Sequence, residues 1–264
     1  MAATQQYSSR TTWPLVRSLI VRDYQQQYQG TYLGFLWVYL QPLLFIGVLY
    51  LIFTLGFRAQ STVDMPFGLY LVCGMISWTY FSSNLTSVTS VIRQHAYLIK
   101  KVDIELRILP LVKIASSMLP HLFMLGVAIG LAWHQGYAPS WYTLQVFYYL
   151  FVSGFLLLGL GWITCSSVLF IKDVSQAVVI VTQFGFWLTP IFWNLSMLPQ
   201  EYQFIVKLNP VHYIVTGYRD SIVAQVGVWE RPQEALYFWL VAFAFFFIGK
   251  RIFARLRTHF AEVI

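Results

Sequence analysis

The sequence predicts an all-α integral membrane protein: six transmembrane helices, an amphipathic interfacial helix before the first, and short re-entrant or gate helices in the last outer loop. Three observations predict it. Of 264 residues, 58% are hydrophobic and only 10% are charged, where a soluble domain carries about 25% charged residues. The mean hydropathy is +0.62, and a chain so poor in charge cannot cover a water-facing surface. Its apolar stretches run without a break for about 20 residues or more, the length a helix needs to cross a bilayer. A β-barrel would alternate in segments of about ten residues instead. Finally, the basic residues sit at the ends of the apolar stretches rather than in one stripe, so the net charge of +7 points to a membrane surface and not to nucleic acid.

The elements follow in order. The N-terminus MAATQQYSSR is polar and lacks the apolar core of a cleaved signal peptide. Residues 1–32 form a cytoplasmic segment. Within it, 12–29 predict an amphipathic helix, with Thr12 and Pro14 as start signals and Trp13, Val16, Ile20, Tyr24 and Tyr28 on one face. Such a helix lies in the membrane interface. The spans cover about 33–57, 67–91, 108–133, 142–170, 176–193 and 235–254, inside the transmembrane domain 33–254. Pro42, Pro120 and Pro190 fall inside three of them and would bend them. Residues 92–107 form a cytoplasmic loop, 194–234 an outer loop and 255–264 a cytoplasmic tail. The outer loop is long but apolar. Asn209 before Pro210 is a cap and first-turn pair, and Val211, Ile214, Val215, Tyr218 and Ile222 share a helical face. Such a loop should fold back onto the spans.

Orientation comes from the basic residues. Arg10, Arg17, Arg22, Arg93, Lys100, Lys101, Arg107, Lys113, Lys172, Lys250, Arg251, Arg255 and Arg257 fall on one side. Only Arg58, Lys207, Arg219 and Arg231 fall on the other. The first side is assigned to the cytoplasm, which puts both termini there.

What is absent narrows the chemistry. No G-x-x-x-x-G-K-[ST] occurs, so the chain carries no P-loop. No Asp, Glu, Lys or Arg lies near the middle of a predicted span, although ion-coupled carriers place such groups there. The histidines His95, His121, His134, His212 and His259 do not pair at ligand spacing, and His121 is expected to bond a neighbouring backbone group. Cys73 and Cys165 fall in apolar runs and read as buried thiols. No metal or cofactor is expected in this chain.

Aromatic surface is what the chain has in abundance. Phe35, Tyr39, Ile46, Tyr50, Phe53 and Phe57 share a stripe with Pro42. Tyr148, Phe151 and Phe155 repeat the pattern, and Phe184, Phe186, Trp187, Phe192 and Trp193 crowd the fifth span. These rings either face lipid or pack, or they line a path for sugar rings, whose C–H faces stack on aromatics. The cytoplasmic stretch IRQHAYLIKKVDIELR mixes charge with Tyr97, Leu98 and Ile99. It is either a solvated loop or a helix presented to a partner that supplies energy.

The pattern R-D-x-x-x-x-Y-x-G-x-x-L-G-F-L-W, here Arg22, Asp23, Tyr28, Gly30, Leu33, Gly34, Phe35, Leu36 and Trp37, followed by Gln41-Pro42, resembles the start of the membrane subunits of polysaccharide-exporting type-2 ABC transporters. These export O-antigen, capsule or teichoic acid. LIKKVDIELRILPLVK, TPIFWNLSMLP and LNPVHYIVTGYRDSI resemble the family's first cytoplasmic loop and its outer loop. The resemblance implies a homodimer in the bacterial inner membrane with two copies of a separate ATPase, which carries the ATP and Mg. It implies a polyprenyl-diphosphate-linked glycan as substrate, moved from the cytoplasmic to the outer leaflet. By similarity, Arg93, Gln94, His95, Ala96, Tyr97, Leu98, Ile99 and Lys100 would couple to the ATPase. Phe35, Tyr39, Tyr50, Phe53, Phe57, Phe184, Trp187 and Trp193 would line the channel, and Asn209, Pro210, Tyr218 and Arg219 would form the outer gate. Arg17, Arg22, Tyr28 and Gly30 would receive the lipid-diphosphate head, with Gly30 making a sharp turn and Gly34 allowing close packing. The competing readings are a drug or small-lipid exporter, a membrane-embedded acyl- or glycosyltransferase, and a structural assembly subunit.

Overall fold

The computed structural model describes residues 13–26, 32–34, 36–56, 65–96 and 105–263, and these are helices joined by turns with no strand. The main helices are α1 (Trp13–Gln26), α2 (Leu36–Leu51), α3 (Phe67–Gln94), α4 (Ile108–Ser116), α5 (Met118–His134), α6 (Gln145–Phe170), α7 (Asp173–Leu188), α8 (Gln200–Lys207), α9 (Pro210–Arg219), α10 (Pro232–Leu256) and α11 (Phe260–Val263). Among the described residues, four stretches are long and apolar enough to cross a membrane: Leu36–Gly56, Ile108–His134, Trp141–Phe170 and Pro232–His259. Shorter, but also apolar, is Asp173–Leu188.

Local chemistry explains where helices stop. α5 ends in a Schellman turn: Gly136 takes φ 94°, Tyr137 N–H bonds Ala132 O at 2.9 Å, and Gly136 N–H bonds Trp133 O at 3.0 Å. Glycine is the residue that takes this conformation without strain. α4 and α5 are one apolar rod interrupted at Ser117. Pro120 has no N–H to offer the carbonyl of Ser116 four residues back, which accounts for the break. α7 ends earlier than its sequence suggests. Thr189 is extended (ψ 134°) because the residue before a proline is driven out of the helical region. Pro190 therefore lies beyond the helix rather than inside it. α9 starts as its sequence predicts, with Asn209 Oδ1 accepting from Val211 N–H at 3.0 Å.

α3 is the centre of the bundle. Leu69, Leu71, Val88 and Ile92 are fully buried along it, with α6, α9, α4, α5 and α7 packed around it. In lipid, burial of an apolar side chain gains little over leaving it among acyl chains, so close packing and hydrogen bonds hold such a bundle. α6 and α10 show this most directly. A Cβ on Gly159 would come within 2.7 Å of Phe246 N, and one on Gly249 would run into Gly159 O. The two backbones touch because both positions are glycine. Beside this contact, Phe155 stacks on Phe246 with centroids 4.7 Å apart and meets Phe243 at 5.2 Å and Trp239 at 5.5 Å. The predicted fourth-span stripe is thus the packing seam of α6 with α10.

Candidate functional site

The residues predicted to handle substrate fall into four places. The first is the corner between α1 and α2. Arg17 and Arg22 are exposed, while Tyr28 and Gly30 lie outside the described residues. The face that the spacing of α1 predicts is split: Trp13 is 72% exposed, whereas Val16 is buried and Ile20 and Tyr24 are half-buried, and Leu19 and Asp23 turn inward beside them against α4. Asp23, adjacent to the predicted Arg22, is 3% exposed and accepts from Lys113 Nζ at 2.8 Å and Ser116 Oγ at 2.5 Å. A second tie joins α1 to α2, where the Tyr24 and Tyr39 hydroxyls are 2.7 Å apart. Gly34 does not serve close packing. It has φ 51° and no atom near its missing Cβ, so its role is the left-handed turn that starts α2.

The second place is the aromatic stripe of α2. Phe35 and Phe57 lie outside the described residues. Tyr39, Pro42, Tyr50 and Phe53 are half-buried and Ile46 is buried, while Leu44, Phe45, Val48 and Leu51 face out. Tyr39 meets Phe123 edge-on at 4.8 Å, Tyr50 accepts from Gln135 Nε2 at 3.3 Å, and Phe53 stacks on Phe192 at 5.7 Å. The stripe therefore turns toward the bundle. Its counterpart on α7 does not: Phe184 and Trp187 are each 64% exposed. Trp193 donates from Nε1 to Trp187 O at 3.1 Å.

The third place is the segment after α7, where α9 is buried nearly all round. Tyr218 is fully enclosed and its hydroxyl lies 2.7 Å from His121 Nε2. His121 thus bonds a side chain of α9, not the neighbouring backbone. Arg219 is 4% exposed, and among the described residues no carboxylate is bonded to it. Its Nε donates to Tyr70 O at 3.1 Å and its guanidinium also reaches Ile191 O. The guanidinium carbon sits 3.4 Å above the Tyr70 ring, a cation–π contact strengthened by the dry surroundings. Tyr70 in turn donates to Trp193 O at 2.8 Å and Pro190 O at 3.2 Å. Asn209 donates to Thr189 Oγ1 at 2.9 Å. The neighbouring carboxylate, Asp220, is engaged by Arg231 at 2.7 Å. Burial pushes the Asp220 carboxyl up against the pull of Arg231. Burial works against the Arg231 charge as well, but the bonded Asp220 outweighs it and holds Arg231 above its ordinary value. This cluster ties α3, α7 and α9 into one unit.

The fourth place is the end of α3. Arg93 donates to Val168 O at 2.7 Å, Gln94 Nε2 to Ser90 Oγ at 3.0 Å, and His95 Nδ1 lies 2.9 Å from Val91 O. Ala96 ends the described stretch, and Tyr97, Leu98, Ile99 and Lys100 lie outside it. Below this end, Phe260 of α11 is buried against Phe253 and Phe170. The C-terminal residues are thus a folded plug under α6 and α10.

The chemistry of these places is that of surfaces and hydrogen bonds. Both cysteines are free and buried. Among the described residues, no three His, Cys, Asp or Glu side chains come together in a way that could hold a metal ion. Asp23, Lys113 and Tyr80 are the residues that spacing alone does not find, because their partners lie on other helices.

Comparison with known proteins decides the family. The ABC-2 type transporter membrane family matches residues 14–223. The chain belongs to that family. Its relatives include two proteins named O-antigen export system permease protein RfbA. One, from Klebsiella pneumoniae, is 25% identical over 265 residues, covering 100% of both chains. The other, from Myxococcus xanthus, is 26% identical over 252 residues, covering 95% of both. The ABC-2 membership makes this chain a transport permease, the kind of subunit that works with an ATPase partner.

Proposed function

We propose that this protein is the membrane subunit of an ATP-driven exporter of lipid-linked, O-antigen-type polysaccharide. The observation that carries the proposal is its similarity, over essentially the whole of both chains, to permeases named for O-antigen export. The substrate is a glycan on a polyprenyl diphosphate, passed from the cytoplasmic to the outer leaflet of the bacterial inner membrane. The permease works as a homodimer with two copies of a separate ATPase, which binds ATP and Mg. Capsule and teichoic acid polymers are the nearest alternative cargoes.

Six spans fit the described helices. α3 has 28 residues, about 42 Å at helical rise, and is kept off the apolar set by its hydroxyls and amides. α7 has 16 residues, about 24 Å, and continues into the buried turn at Thr189 and Pro190. Both termini are then cytoplasmic. Residues 93–100 dock to the ATPase, the aromatic faces of α2 and α7 flank the glycan, and the cluster of Asn209, Pro210, Tyr218 and Arg219 is the outer gate. Arg17 and Arg22 are exposed, where they can meet the diphosphate of the lipid, and Tyr28 and Gly30 are proposed to share that role.

The test is depletion of the protein in its native cell, followed by extraction of lipid-linked glycans. Long lipid-linked chains should accumulate on the cytoplasmic face, with none at the surface. Unchanged glycan in both leaflets would reject the proposal in favour of a drug or small-lipid exporter. Arg22→Ala should block export while the ATPase still copurifies, and normal export in that variant would rule out the head-group role of this corner.

A further inference from the structure

A cavity of about 360 Å³ lies between α2, α3 and α5, within the range of roughly 300–1,000 Å³ typical of small-ligand sites. Its two walls differ in chemistry. α2 contributes Pro42, Phe45 and Ile46. Gln41 is the one polar residue that α2 adds; α3 contributes Thr79, Tyr80, Ser83 and Asn84 beside Ile76, and Ser117 and the imidazole of His121 extend that polar side. No carboxylate, lysine or arginine is among the described residues that line it. One flat apolar wall facing a wall of neutral hydroxyls and amides matches a sugar ring, which has C–H faces and a hydroxyl rim. It does not match an acyl chain, which leaves the polar wall unsatisfied, or a phosphate, which needs cationic or N–H partners.

The polar wall is held in place and is not saturated. Asn84 donates to Tyr80 O at 2.8 Å and accepts from Ser117 Oγ at 2.7 Å, which leaves one of its N–H groups and an acceptor position. Ser83 Oγ donates to Thr79 O at 2.6 Å, so its lone pairs remain available. Tyr80 is 4% exposed, and its hydroxyl has no hydrogen-bond partner. Ser117 lies beside that hydroxyl but is directed to Asn84 and Ile114 O. A buried hydroxyl without a well-formed hydrogen bond is costly to keep, and polar groups kept at membrane depth are a functional signal.

The cavity also has an approach. Val38 and Gln41 line it, and they flank Tyr39, the residue bonded to Tyr24 of α1. Its α2 wall therefore adjoins the point where α2 is tied to α1. We infer that this cleft within a single chain is a docking site for a neutral sugar unit of the lipid-linked glycan. The inference rests on the export proposal and adds a station inside the protomer, separate from the aromatic face of α7.

The test is photo-crosslinking of the assembled exporter in cells fed a radiolabelled sugar. A p-benzoylphenylalanine is placed at Ser83, on the cavity rim, or at Phe184, on α7. The inference expects labelled glycolipid captured at Ser83, and loss of that capture when glycan synthesis is blocked. Capture at Phe184 with only phospholipid or nothing at Ser83 overturns the inference and leaves the export proposal standing. Capture of labelled glycolipid at neither position overturns both. Two variants guard against a folding artefact. Gln41→Leu, at an exposed position, and the isosteric Thr79→Val should each lower export several-fold, up to about tenfold where a full hydrogen bond is lost, with the protein level unchanged. Wild-type export in both variants overturns the inference.

Discussion

α2 and α3 make an instructive pair. α2 is apolar from end to end, yet only 6% of the most apolar stretch of Leu36–Gly56 is buried. α3 carries serines, threonines and Asn84, falls outside the set of strongly apolar helices, and is the most enclosed of the long helices. The polar residues of α3 are accommodated locally. Ser77 Oγ bonds Cys73 O at 3.0 Å, and Thr89 Oγ1 bonds Leu85 O at 2.7 Å and reaches Thr164 Oγ1 at 2.9 Å. A hydroxyl that gives its proton to its own helix has its donor satisfied, so it can be buried while its lone pairs remain as acceptors. Hydropathy therefore measures which helix has a large outward face, and a helix surrounded by protein can cross with a mixed sequence.

Substitutions that sharpen this contrast can be ranked. The largest effect is expected at Leu71, fully buried on α3. Leu71→Ala should destabilise by about 3 kcal/mol, since packing lost around a cavity is not regained from lipid. A large drop in Tm of the purified protein in detergent would show it. Next is Arg219→Met, which leaves the carbonyls it bonds and the Tyr70 ring without their cation, at about 2 kcal/mol. It should loosen the segment after α7, seen as faster hydrogen exchange across 194–224. Asp23→Asn, whose amide keeps part of the bonding, should weaken the hold of α1 on α4 by about 1–2 kcal/mol, with faster exchange in α1 and little change in the global Tm. The double variant Asp23→Leu/Lys113→Met should recover most of that loss, because it strands no buried charge. The smallest effect is expected for Leu44→Ala, on the outward face of α2, within about 0.5 kcal/mol. A loss at Leu44 as large as that at Leu71 would break the contrast and identify this face of α2 as covered.

Much of the architecture was legible in the sequence. The apolar runs place the long helices, the period-3.6 pattern of Tyr39, Pro42, Ile46, Tyr50 and Phe53 marks the inward face of α2, and Asn209-Pro210 marks the start of α9. Those signals are local. What stayed hidden depends on partners far away in the chain. Asp23 looks like an ordinary surface acid until Lys113, 90 positions on, meets it. His121 has no neighbour in sequence that hints at Tyr218, 97 positions on. Arg219 is written in what reads as an outer loop, where a cation is expected to be wet, and only the packing of α3 and α9 reveals it as dry. The early end of α7 was readable, because Pro190 restrains Thr189, but the continuous apolar run masks it.

The interruption at Ser117 has a mechanical consequence. α4 is clasped to α1 by Asp23 and Lys113, whereas α5 is clasped to α9 by His121 and Tyr218. The rod Ile108–His134 is therefore two links that both rest on α3 and differ in their other partner, α1 for α4 and α9 for α5. A tilt of α1 would pull on α4 and not directly on α5. Ser117 and Pro120, at the break, also line the cavity between α2, α3 and α5, so a bend there would change the shape of that cavity.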